Sequence, residues 1–173
     1  MLLHTLQKQS IVMNSSILFV AMVLLPWLCV GNPSNPTFSD SVSTRSTRAE
    51  GILKCGHSPV VGAYVRLFKI TNNDELRNVL ATAQTDSSGH FTIEGDTSNY
   101  QGVEASIDPV LKFYHKCEDA EGKKGYRRFS LRYPRDYVNI GRVARRSYDI
   151  GVLNVQLKYP AESRVDAIEG LKN

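Results

Sequence analysis

The chain has 173 residues, 42% of them hydrophobic and 9% aromatic, and carries a formal net charge of +4. That length allows one domain, or a small domain with tails, and the composition is ordinary for a globular protein. The charge is mild, so its distribution along the chain says more than its total; with no reader motif in the sequence, nucleic acid is a poor partner.

The first 31 residues read as a segment outside the fold. Ile17 to Leu28 is apolar, interrupted only by Pro26, with Lys8 the sole cation ahead of it and Cys29-Val30-Gly31 behind. This is the pattern of a signal peptide over 1–31. The run is too short for a comfortable membrane span, so the chain is expected to be secreted into the extracellular space rather than transmembrane. Loss of that segment takes away Lys8 and Cys29, leaving Cys55 and Cys117 as the thiols of the domain. Two thiols in an exported domain predict one disulfide, with two separate buried thiols as the alternative.

Residues 32–49 are rich in Ser, Thr, Asn and Pro. Such a stretch buries too little surface to offset its ordering entropy and is expected to be a flexible arm. The domain is assigned to 50–160. Ile52–Cys55 is a short strand, followed by the turn Gly56-His57-Ser58-Pro59. Val60–Ile70 is a longer strand with Val61, Ala63, Val65 and Leu67 facing in, against Tyr64, Arg66 and Lys69. After a polar loop come a strand over Val79–Thr85, the tight turn Asp86-Ser87-Ser88-Gly89, and a strand over His90–Glu94 that closes a hairpin.

Ile107–Cys117 is the most informative strand. Asp108-Pro109 punctuates its entry. Leu111, Phe113 and Cys117 then alternate with Lys112 and Lys116, which predicts one face on a core and the other near water. Cys117 thus points inward, where Cys55 is the partner the count leaves. Tyr126–Tyr133 follows, with Phe129, Leu131 and Tyr133 opposite Arg128, Ser130 and Arg132. Residues 135–146 are polar and irregular. Tyr148–Tyr159 is the last strand, with Leu153, Val155 and Leu157 inward, and 161–173 reads as a frayed tail. Seven short strands with no sustained helical period predict an all-β sandwich.

Several of these segments resemble the nematode transthyretin-like family. They are Leu53-Lys54-Cys55-Gly56, Thr85-Asp86-Ser87-Ser88-Gly89-His90-Phe91, the block Ile107 to Cys117, and Tyr148-Asp149-Ile150-Gly151-Val152-Leu153-Asn154. The resemblance implies a secreted, seven- to eight-stranded prealbumin-like β-sandwich. Members of that family often carry two further cysteines, at positions where this chain has Lys123-Lys124-Gly125-Tyr126 and Arg164-Val165-Asp166. Their absence leaves Cys55 and Cys117 as the remaining couple.

His57, His90 and His115 form no His-x-His or His-x-x-x-His pair, so no metal or cofactor is expected, and His115 is expected to pack beside the bridge. The wider superfamily includes hydroxyisourate hydrolases, which resemble one another in a C-terminal Tyr-Arg-Gly-Ser motif. This chain ends Gly170-Leu171-Lys172-Asn173 without that motif, so a non-catalytic binding protein is the leading expectation and a hydrolase or small-ligand carrier the alternative.

The remaining signal is charge. From Lys123 to Arg146 lie nine cations (Lys123, Lys124, Arg127, Arg128, Arg132, Arg135, Arg142, Arg145 and Arg146) and Asp136 as the one carboxylate. The run reads either as a solvated face or as a docking patch for an extracellular protein, a glycan or an anionic membrane surface.

Overall fold

The computed structural model describes residues 44–70, 76–100 and 105–171. The expected signal peptide and residues 32–43 of the expected arm lie outside them.

Ten strands form among the described residues: β1 (Arg45–Cys55), β2 (Ser58–Pro59), β3 (Tyr64–Phe68), β4 (Val79–Gln84), β5 (His90–Asp96), β6 (Val110–His115), β7 (Tyr126–Arg132), β8 (Val138–Ile140), β9 (Ser147–Asn154) and β10 (Ser163–Val165). Seven are long, and they correspond to the seven read from the sequence; β2, β8 and β10 are short additions. The strands make two five-stranded sheets. Sheet A centres on β1, with β2 and β5 paired to it and β8 and β9 along its length; sheet B has the order β10-β7-β6-β3-β4. All pairs are antiparallel except β1 with β9.

The two inner faces close on one core. Leu53 and Phe91 come from sheet A, and Val65, Leu67, Leu111, Phe113 and Phe129 from sheet B. Phe113 stacks on Phe129 at 4.8 Å and meets Phe91 edge-on at 5.7 Å. Aromatic pairs at such distances add to the large area they bury, so Phe113 ties the two layers together.

Several expectations need correction. The first strand begins at Arg45, not at Ile52, so the arm ends before residue 45 and the domain starts earlier than residue 50. Ser46, Thr47 and Ala49 are fully buried there. Small polar residues look like linker in composition, but here their backbone groups are held by β5 on one side and by β8 or β9 on the other. The turn Asp86–Gly89 does not close a two-stranded hairpin: β4 pairs with β3 and β5 with β1, so it carries the chain from sheet B to sheet A. The Asp86 carboxylate accepts hydrogen bonds from the Ser88 hydroxyl (2.6 Å) and from the Ser88 and His90 amides (2.8 and 3.0 Å), which hold its pKa below the usual value. Gly89 takes φ +79°, and a side chain there would collide with the Leu53 carbonyl. A turn signal specifies a reversal, not which edges its strands will pair with.

Lys112 does not face water. Every residue of β6 is buried, Lys112 included. Val61 and Leu157, expected inward, are exposed, because the chain is still turning before β3 and has left β9 after Asn154. The tail is not frayed from residue 161: β10 adds to the edge of sheet B beside β7, and Ile168 is buried.

Candidate functional site

The strand ends that converge at one corner of the sandwich build the site. Cys55 ends β1, and Cys117 lies two residues beyond β6. They form a disulfide with α-carbons 5.7 Å apart, inside the ordinary range. The bridge fastens the central strand of sheet A to the central strand of sheet B.

His115 sits beside it, 1% exposed. Its Nδ1 accepts the Cys117 amide at 3.3 Å, and its ring meets Phe129 edge-on at 5.9 Å. Burial, with help from the Arg127 cation, draws its pKa from 6.5 down to about 4, against the opposing pull of Glu162 and Asp119. The ring is therefore neutral near pH 7, and an accepting Nδ1 puts its proton on Nε2. The other two histidines lie elsewhere. His57 is exposed in the β1–β2 turn, and His90 opens β5 opposite Ile52. No group of three His, Cys, Asp or Glu side chains among the described residues could hold a metal ion.

Over the bridge is an open cavity of about 520 Å³, lined in part by Tyr64, Gln84, Tyr114, Lys116 and Tyr126. A second, of about 540 Å³, shares Tyr64, Lys116 and Tyr126 and adds Lys124. Tyr64 meets Tyr126 edge-on at 6.2 Å, and the Lys116 ammonium stands 5.0 Å from the centre of the Tyr126 ring. Sequence reasoning passed over Tyr64 and Lys116. Their signal was only the outward half of a strand alternation, which marks a face without saying that it is concave.

The basic run is divided by the fold. Lys123, Lys124, Arg127, Arg128 and Arg132 belong to β7 and the turn before it, in sheet B. Arg142, Arg145 and Arg146 lie between β8 and β9, on sheet A. Several of the cations already have carboxylate partners within the fold. Arg127 grips Glu162 through two nitrogens (2.6 and 3.1 Å) and also donates to the Cys117 and Leu157 carbonyls. Arg132 and Arg135 both bond Asp108. Lys123 lies 3.4 Å from Asp119, which Arg164 also holds at 2.8 Å. Arg146 donates to the Asp136 carbonyl and lies over Tyr137. Lys124, Arg142 and Arg145 are exposed, whereas Arg128 is half-buried on the outward face of β7 beside Tyr114.

Comparison with known proteins places this architecture. The profile of the transthyretin-like family matches residues 50–134. Transthyretin-like protein 33 of Caenorhabditis elegans is 34% identical over 126 residues, covering 73% of this chain and 85% of its own length. The chain belongs to the transthyretin-like family. Transthyretin-like protein 46 of the same organism is 35% identical over 120 residues, 69% of this chain, and this chain spans 65% of its length. Transthyretin-like protein 5 is 32% identical over 122 residues, 70% of this chain and 84% of its own. Among solved structures, a 9R-lipoxygenase from Cyanothece PCC8801 overlays at a TM-score of 0.35 with 18% identity, over 64% of this chain and 16% of that one, too loosely to carry an argument. As a transthyretin-like protein the chain shares the β-sandwich of its family, and no helix among its described residues is long and apolar enough to cross a membrane.

Proposed function

We propose that this transthyretin-like chain is a secreted, non-catalytic binding protein of the extracellular space, whose contact with an anionic lipid, glycan or receptor surface is made by cations of the 123–146 region. The disulfide supports the compartment, because such bonds persist where the surroundings are oxidising. The observation that carries the partner reading is the set of exposed cations left after the internal ion pairs are formed: Lys124 in the turn before β7, and Arg142, Arg145 and Arg146 between β8 and β9. Arg127 and Arg132 have a different part in it. They clamp Glu162 and Asp108 and so keep β7 and its neighbours in place. A non-catalytic role is supported by His115, whose ring is buried, neutral near pH 7 and engaged by the Cys117 amide.

Reversal of charge at Lys124, Arg145 and Arg146 together is expected to lower retention on a heparin column and co-sedimentation with anionic vesicles. Unchanged retention and sedimentation would remove this region from consideration. The cavity over the bridge favours a second reading, a small-ligand carrier, since its volume is in the range of ligand sites. Ligand-dependent melting shifts that survive the charge reversal would favour the carrier.

A further inference from the structure

Two open clefts lie side by side at the bridge end of sheet B. The first has an apolar wall from Val60, Val61 and the disulfide; the second has one from Ile168 and Leu171. Tyr64, Lys116 and Tyr126 belong to both linings and mark where the clefts meet. Register brings them together: Tyr64 opens β3 and Tyr126 opens β7, on either side of β6, and Lys116 follows the end of β6.

These groups are within reach of a partner. Lys116, Lys124 and Val61 are exposed, Val61 by 62%, and Tyr64 and Tyr126 are half-buried. The two tyrosine rings meet edge-on at 6.2 Å, and the Lys116 ammonium stands 5.0 Å from the centre of the Tyr126 ring. A ring beneath an ammonium attracts it, which holds the cation over the ridge between the clefts. The ion pairs at this end of the sandwich use Lys123, Arg127 and Arg164 instead. Asp166 is the one carboxylate in the two linings, so Lys116 and Lys124 outnumber it.

The shape favours a chain over a compact ligand. A small molecule is held by burying most of its surface, and both clefts are open. An extended peptide crossing the ridge uses both at once. Its side chains two apart face the same way, about 6.8 Å from one another, close to the separation of the two rings. Alternate side chains therefore meet one cleft, the ridge and the other cleft in turn.

We propose that these clefts bind an extended acidic segment of a partner protein. One apolar side chain packs against Val60 and Val61, a carboxylate pairs with Lys116 over the ridge, and a second apolar side chain packs against Ile168 and Leu171. The proposal rests on the reading of the chain as a binder of anionic partners and gives that partner a class and a place. Charge complementarity sets the middle position and the apolar walls set the flanks. A bilayer presents its charge as a plane, which does not enter two concavities.

The test uses the whole chain from a secretory host, immobilised, and a phage-displayed library of random nonapeptides. Selection is expected to enrich Asp or Glu with Leu, Ile, Val or Phe two positions away on each side. Lys116→Glu, a change at an exposed residue, should turn the enriched central residue to Lys or Arg. It should weaken a peptide selected on the wild type by about ten-fold, since an attraction becomes a repulsion. Val61→Asp should remove the preference at one flank only. The selected peptide should protect Lys116, and not the exposed Lys158, from acetylation read by mass spectrometry. Arg145→Glu with Arg146→Glu should leave its affinity nearly unchanged. No enriched pattern, a pattern without a central acid, the same pattern from Lys116→Glu, or no protection of Lys116 in the wild type would each overturn the proposal. Protection of Lys116 by phosphatidylglycerol vesicles and not by peptide would overturn it in favour of a membrane. Failed peptide selection beside heparin or vesicle binding that depends on Lys124, Arg145 and Arg146 would overturn it while the broader reading survives. No binding of peptide, heparin or vesicles would end both.

Discussion

The central strands of the two sheets solve the same problem by opposite means. β6 is built of Val110, Leu111, Lys112, Phe113, Tyr114 and His115, large side chains that are buried on both faces. β1 holds its place with Ser46, Thr47 and Ala49, all with no exposed surface, and with hydrogen bonds to strands on both sides. Charge is handled differently too. Arg48 of β1 has Glu94 across the sheet at 2.5–2.9 Å, whereas the cations beside Lys112 share rows with tyrosines and uncharged polar residues. A central strand can therefore be specified by what it packs or by what it pairs with, and only the first kind leaves a hydrophobic pattern behind.

The Cys55–Cys117 bond joins these two strands across a separation of 62 residues. Replacing both cysteines by alanine is expected to cost about 4 kcal/mol, as the closure of a long loop implies; a denaturation midpoint unchanged by the replacement would mean the layers need no staple. His115 tests the β6 side. Its folded pKa is lowered, so the unfolded chain binds the proton first as pH falls. Its contribution is complete above about 6.5 and is lost as pH drops to about 4. A loss on the order of 3 kcal/mol across that window is expected, and His115→Gln should flatten it. Asp119 and Glu162, which face the ring along with Arg127, have lowered pKa values of their own, so their contributions fade at more acid pH.

On the β1 side, the Thr47 hydroxyl and the Tyr133 hydroxyl are 2.9 Å apart in the core, and burial pushes Tyr133 up to about 12. Thr47→Val should cost about 1–3 kcal/mol by leaving the tyrosine unmatched, read from urea unfolding; Thr47→Ser should recover most of it. The smallest effect belongs to Arg48–Glu94, which is partly open to solvent. A double-mutant cycle there is expected to give no more than about 1 kcal/mol and to shrink in high salt. A larger coupling would mean that β1 depends on its ion pair rather than on its backbone pairing.

Much of the candidate site was half visible in the sequence. The alternation Leu111, Phe113, Cys117 aimed the thiol inward, and the structure joins it to Cys55. The charge run from Lys123 to Arg146 was visible, but its neutralisation by Asp108 and Glu162 was not, because those carboxylates are distant in the chain from Arg127, Arg132 and Arg135 and reach them only in the folded sandwich. Tyr64 and Tyr114 became cleft walls for the same reason: register across strands, not spacing within one, sets them side by side.

What the amino-acid order determined by itself is the number and approximate place of the long strands, the inward set Val65, Leu67, Leu111, Phe113 and Phe129, and the two thiols available to meet. Period-two alternation is a property of a single strand and needs no partner to be read. What the tertiary structure decided is which strands neighbour one another: that Asp86–Gly89 passes between sheets, that Arg45 to Glu50 is a buried strand, and that Lys112 lies under cover rather than in water. Each of those depends on atoms contributed by another part of the chain, and burial belongs to the assembled pair of sheets rather than to any residue within them.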